Sequence, residues 1–355
     1  MLEVSNPESV TVLTEDKNWI TSINWLIDGR SIIYDSDEAG DRNLWLLDTQ
    51  TRQKQVLGAR DAQMPSLDAN NTVLAFLDVR YNANIWEVDL TEVNSEPQPL
   101  IEAIKYNNHP AYAANDELIA FATNRKGKTE IWLFDNRTGQ QRPLLQIPGL
   151  NLFAPVWSLD GKHVLMSSRG KEGYRCYRVE VETGVYQPAV DFAESHSSCQ
   201  LSSRNELYAL TKDPERTGQI IKFNETDGQT VLLEDDISRF ELSETDDIIY
   251  SHQFKDGLFV LSEDGTTHHT IIPELGRAYD EYWTVQGQYV YYPATSEPEG
   301  IWRYNLLTQK SEFVTKHLPS TIGLSIAINR AHTRMLLSRT DKREADVYLG
   351  TISDN

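Results

Sequence analysis

The side chains of this chain that could do chemistry are few and scattered. Eight histidines stand at 109, 163, 196, 252, 268, 269, 317 and 332, and two cysteines at 176 and 199. Two cysteines cannot build a four-ligand zinc centre, and no His-Glu-x-x-His run is present. A Gly-x-Ser-x-Gly elbow, a phosphate-binding glycine loop and a Gly-x-Gly-x-x-Gly run are absent too. Asp35-Ser36-Asp37-Glu38-Ala39-Gly40 half resembles a calcium loop. It places Ala39 where a fifth-position ligand belongs and has no glutamate at the twelfth position, so it reads as a solvated strand connection. No catalytic residue, metal site or cofactor is expected from these patterns. Any site must be gathered from distant positions by the fold.

The charge balance narrows the partners. With 33 basic and 53 acidic residues the net charge is −20, which disfavours nucleic acid and anionic membranes, since phosphate contacts need clustered Lys and Arg. No apolar run reaches the 18 or so residues of a membrane helix, and the opening residues carry no leader-like pattern. The plain reading of the ends is a cytoplasmic protein. The alternative is a soluble domain cut from a larger one.

What could gather distant residues is a repeat. Asn43-Leu44-Trp45-Leu46-Leu47-Asp48, Asn84-Ile85-Trp86-Glu87-Val88-Asp89 and Glu130-Ile131-Trp132-Leu133-Phe134-Asp135 open a series. It continues through Tyr177, Ile221, Phe259, Trp302 and Tyr348, with spacings of 41, 46, 45, 44, 38, 43 and 46 residues. Eight units near this length, each with four short strand-like runs, predict an all-β, eight-bladed β-propeller with four antiparallel strands per blade. Seven blades is the alternative, if the looser fifth and sixth units fuse. Units start near 19, 61, 107, 152, 196, 237, 279 and 321 within a single domain, 1–355. Asp-Gly pairs at 28, 160, 227, 256 and 264 suit type I′ hairpins. Pro99, Pro143 and Pro188 fall in fourth strands, where an edge tolerates a missing N–H. The last unit is one strand short, so a closing strand at 10–14 is expected to complete it and seal the ring.

At these residues a family resemblance enters. Pro155-Val156-Trp157-Ser158-Leu159-Asp160-Gly161-Lys162, followed by Ser167-Ser168-Arg169-Gly170, resembles the TolB-type propeller repeat. Thr123-Asn124-Arg125-Lys126-Gly127 through Asp135 resembles its second half. The whole chain also resembles the extracytoplasmic propeller of CadC/ToxR-type transmembrane winged-helix regulators. That resemblance implies a periplasmic sensory domain held to the membrane by a segment outside this chain, with no DNA contact by the chain itself.

Propellers bind at the channel mouth, on connections from each outer strand to the next inner one. Here those carry Trp19, Gln63, Asn108, His109, Phe153, His196, Arg239, Tyr282, Trp283 and Thr321. Rings mixed with amides suit a sugar, a peptide or a protein segment. Cys176 and Cys199 lie in consecutive units and either bridge them or remain two buried thiols. The expected role is a non-catalytic, monomeric binding domain for a protein, small molecule or glycan. The alternative is a metal-assisted polysaccharide lyase or another glycan-active propeller enzyme. A peptidase of the prolyl-oligopeptidase kind ranks last, because its hydrolase half and nucleophile are missing.

Overall fold

The computed structural model describes residues 2–3, 6–14, 20–38, 42–92, 94–103, 105–170, 173–190, 196–211, 218–224, 228–234, 236–263, 265–276, 282–294, 297–317 and 325–351. They form strands, turns and loops, with no helix among the described residues. The chain divides into two compact units, residues 82–341 and residues 1–81 with 342–355.

In the larger unit, five four-stranded antiparallel sheets follow one another, each made of consecutive strands. Their innermost strands are Asn107–Tyr112, Asn151–Trp157, His196–Leu201, Ile237–Leu242 and Thr284–Gln286, which also name the sheets below. A sixth sheet starts with Ile326–Ile328 and continues with part of the long strand Arg334–Thr351, then part of Val73–Asp89, then Gln98–Ile101. Neighbouring sheets bury apolar faces against each other. Ile131 and Val164 meet between the Asn107 and Asn151 sheets, Leu165 and Ala209 in the next seam, and Ile220 and Ile248 in the one after. Leu258 and Val290, then Ile301 and Met335, fill the following two. Phe121 and Leu336 share the sixth core, which brings the Ile326 sheet back to the Asn107 sheet. The ring of this unit is therefore closed by packing. Such burial contributes about 25 cal/mol per Å² of apolar surface, the main term holding the sheets together.

Local chemistry explains the sheets. The first hairpin of every repeat turns through one left-handed residue: Gly29, Asn71, Asp116, Gly161, Asn205, Asp246, Gly287 and His332. Gly, Asn, Asp and His are the residues that tolerate this region best. Only one residue per turn has positive φ, so these are not the type I′ hairpins expected from Asp-Gly. Asp28 and Asp160 instead precede the left-handed glycine and accept backbone N–H groups from Arg30 and Lys162 at 2.9 and 3.0 Å. Pro99, Pro143 and Pro188 do lie in outermost strands.

The smaller unit holds a hairpin of Leu2–Glu3 with Asn6–Val10 and a four-stranded sheet beginning at Ile23–Trp25. It also holds a sheet of Ala62–Leu67, the first half of Val73–Asp89 and the last half of Arg334–Thr351. Ile33, Leu44 and Leu74 pack these two sheets together, and the buried Asp35 carboxylate accepts the Met64 N–H at 3.0 Å.

One expectation changes here. Among the described residues the expected closing strand at 10–14 is not formed: Asn6–Val10 pairs with Leu2–Glu3, and residues 11–14 carry no strand. The last strand of the chain pairs with Val73–Asp89 instead. The physical reason is that both long strands run straight where a hairpin was expected, and so satisfy each other's ladders. The expected unit starts near 19, 279 and 321 lie outside the described residues.

Candidate functional site at the channel of the larger unit

The six innermost strands of the larger unit surround a channel of about 840 Å³. A strand alternates its side chains between faces, yet among the described residues five innermost strands slip in register, and three of them slip in the same way. Their ladders slip between Gln63 and Ser66, Asn108 and Ala111, and Phe153 and Val156. At each slip a residue of positive φ (Met64, His109, Ala154) precedes a proline, Pro65, Pro110 or Pro155. The bulge re-aims the neighbouring side chains, and proline suits a point where no ladder N–H is needed. This X-Pro repeat is spaced 45 and 45 residues in the sequence, and in the larger unit Pro110 and Pro155 line the channel.

At the mouth, His109, Phe153 and Arg239 all line the channel. The His109 and Phe153 rings lie 6.2 Å apart, and Phe153 meets Tyr174 edge-on at 6.2 Å. Arg169 stands over the Tyr174 ring at 5.9 Å. Arg239 stacks on Trp283 at 5.1 Å and pairs with Glu241, whose other oxygen accepts the Val285 N–H at 2.6 Å. Burial, then the nearby Arg239 charge, pushes the His109 imidazole down to about 4, so it is neutral at neutral pH. Its backbone N–H is held by Ser325 Oγ at 3.0 Å, while its buried Nδ1 has no hydrogen-bond partner among the described residues.

The other proposed mouth residues go elsewhere. Asn108 is buried in the seam to the Ile326 sheet, where its Oδ1 accepts Ser325 Oγ at 2.8 Å and Ser338 Oγ at 2.9 Å. The bulge turned it away from the channel. Trp283 is fully buried and belongs to the core, with Leu258 and Val290 as neighbours. Its ring is the surface on which Arg239 lies. Tyr282 is half-buried beside it and is not among the channel-lining residues. Gln63 stands on an innermost strand of the smaller unit. His196 opens its strand, but its side chain lies outside what is described, as do Trp19 and Thr321 altogether.

Arg169 and Tyr174 join the mouth although the sequence marks Arg169 only as part of the repeat motif and Tyr174 not at all. They reach the mouth because the second and third strands of the Asn151 sheet run on to Gly170 and Gly173. At the opposite end the channel is acidic, with Asp116 and Glu244 beside Arg330. Asp116 there accepts the Arg330 N–H at 3.0 Å, another tie across the closing seam. Among the described residues no group of three or more His, Cys, Asp or Glu is placed to hold a metal ion. Cys176 and Cys199 are bonded to each other, with Cα atoms 6.3 Å apart, inside the apolar seam between the Asn151 and His196 sheets. The arrangement offers rings for stacking, a neutral imidazole nitrogen and two guanidinium groups.

Comparison with known proteins adds the fold. No family model matches the chain. No curated protein matches its sequence. Among solved structures, TolB from Acinetobacter baumannii is similar, at 14% identity and a TM-score of 0.51, over 87% of this chain and 79% of that one. A chain of a nidogen–laminin complex is similar at 9% identity and a TM-score of 0.51, over 73% of this chain and 99% of that one. An oligogalacturonate lyase in complex with manganese aligns at 12% identity over 89% and 87% of the two chains, with a TM-score of 0.47. At such identities the likeness carries the fold and nothing about the site. The fold is a β-propeller of the kind TolB has.

Proposed function

We propose that this chain is a non-catalytic binding propeller that takes a protein segment or a small ligand at the channel mouth of its larger unit. The observation that supports this most is the continuous row His109–Phe153–Tyr174–Arg169, facing Arg239 across the same opening. Three rings supply contact area and the guanidinium groups fix orientation, which is how polar-rimmed pockets hold segments of mixed character. Selection of a random peptide library on the purified chain tests it. Selected peptides are expected to lose at least tenfold in affinity for Phe153→Ala and Arg239→Ala. Equal binding to both variants, or no selected peptide, would overturn the reading.

The finer role we infer is that of an extracytoplasmic, periplasmic domain of a membrane-bound transcriptional regulator, anchored by a segment outside this sequence. The resemblance of the repeat motivates it, and the bonded cysteine pair supports an oxidising compartment. Thiol labelling in intact cells decides the compartment: Cys176 and Cys199 should resist labelling until a reductant is added. Free thiols in the native cell would count against the periplasm.

A further inference from the structure

In five repeats the aromatic of the third strand faces a residue of its own second strand. The pairs are Trp45 with Tyr34, Trp132 with Phe121, Tyr177 with Met166, Phe259 with Tyr250 and Trp302 with Tyr292. Two repeats break this pattern, and they break it reciprocally. Phe76, in the second strand of repeat two, stacks at 5.9 Å on Tyr348, the third-strand aromatic of repeat eight. Trp86, the third-strand aromatic of repeat two, packs with Met335 and Leu337 from the second strand of repeat eight. At the far end of the same ribbon the Leu90 N–H reaches the Thr333 carbonyl at 2.8 Å. Equivalent strands have changed places.

The hinges explain why they could. The turns between second and third strands at Gly127, Gly173 and Gly257 use glycine at φ 106, 102 and 109°. The corresponding stretches 79–83 (Val-Arg-Tyr-Asn-Ala) and 339–345 (Arg-Thr-Asp-Lys-Arg-Glu-Ala) contain no glycine, and they run through as strands of 17 and 18 residues. Straight hinges with swapped equivalent elements are the geometry of strand exchange, whose two closed forms bury nearly the same contacts.

We propose that repeats two and eight are an exchange pair, and that this chain has a second closed arrangement in which strands 84–89 and 346–351 each return to their own repeat. Return would open the hydrogen bonds that the exchanged Asn84 makes to Asp341 at 2.7 Å and to Asn107 at 3.2 Å. The second of those bonds stands at Asn107, the first residue of the His109 strand, so exchange alters what holds that strand at its start. The device stands on strand pairing alone and does not rest on the reading of the channel mouth.

Cysteine pairs separate the two arrangements in the full chain. Phe76→Cys with Tyr348→Cys closes only in the exchanged form. Ala75→Cys with Glu87→Cys, equivalent to the paired Ala120 and Leu133, closes only after return. In the exchanged form these two positions are twelve residues apart along one strand, about 40 Å. Each variant is first checked for a native-like thermal midpoint, then oxidised, and the extra bond is located by peptide mass. Both pairs are expected to close within single chains, the 75–87 bond more slowly. Adding Asn82→Gly, which supplies the missing hinge glycine, should raise the yield of that bond several-fold. Closure of only one pair, or bonds only between two chains, would overturn the proposal. If a Cys pair misfolds, the Asn82→Gly chain alone decides by hydrogen exchange: faster exchange at 84–89 is expected, and unchanged exchange there would equally overturn it.

Discussion

Two seams of the larger unit are built from opposite materials. Between the Asn151 and His196 sheets the filling is apolar, with Leu165, Ala209 and Ile221 around the Cys176–Cys199 bond. Between the Ile326 and Asn107 sheets an apolar floor of Ile85, Phe121 and Leu336 carries a polar layer above it. In that layer Asn108 receives both serine hydroxyls, Asn84 bridges Asn107 and Asp341, and Arg125 reaches Asn107 at 3.1 Å while lying over Trp132. The first seam joins sheets consecutive in sequence. The second joins strands more than 200 residues apart, and its bonds are directional. Apolar packing tolerates a misplaced neighbour, whereas buried amides and hydroxyls are costly unless each finds its partner. The difference teaches that specificity is concentrated where chain connectivity gives no help in choosing the neighbour.

The covalent seam is the place to break the comparison hardest. Cys176→Ala with Cys199→Ala should cost about 3 kcal/mol, since the bond closes a loop of 23 residues in the unfolded chain. The denaturant midpoint measures it, and reducing agent should lower the wild type to the same value. The polar seam should show a smaller loss with a different character. Asn108→Ala leaves the Ser325 and Ser338 hydroxyls to each other, at 3.0 Å, and should cost about 2 kcal/mol. Hydrogen exchange should then speed up in Asn107–Tyr112 and Ile326–Ile328 but not in His196–Leu201. Uniform acceleration would show that the two seams are one cooperative unit and erase the distinction drawn between them.

Much of this was legible in the sequence where the cause is local. The third-strand motif at Trp45, Trp86 and Trp132 located real strands, because alternation and turn residues act over a few positions. Proline in the outer strands was legible for the same reason. Side-chain direction was less so. Trp283 looked like a mouth aromatic and Asn108 a mouth amide, yet parity and one bulge sent the first into the core and the second into a seam. The exchange of strands 84–89 and 346–351 was illegible in principle. Whether 79–83 bends or runs straight depends on a partner some 260 residues away, and no local pattern reports that choice. The cysteine pair stood between: adjacency of units allowed the bond, but only packing brought the Cα atoms to 6.3 Å.

Acid should discriminate between the seams more finely than substitution. Burial and Arg239 push His109 down to about 4, below its usual value of about 6.5. The unfolded chain therefore takes up the proton first, and stability is lost as pH falls from about 6.5 towards 4. His109 N–H is bonded to Ser325, so this loss falls on the polar seam. His109→Asn keeps a residue that tolerates the left-handed backbone and should flatten the thermal midpoint over that pH range by a few degrees. Below about pH 4 a second decline begins, from the turn carboxylates. Backbone N–H groups of Thr138 and Arg137 hold Asp135 below the ordinary range, and Val73 does the same for Asp68. A carboxyl depressed in the folded state contributes above its unfolded value and loses that contribution as pH drops through its folded value. Asp135→Asn should therefore remove a small part of the second decline while leaving the first untouched. A variant that flattened both, or neither, would show that the acid response belongs to the molecule as a whole and not to the seam that His109 guards.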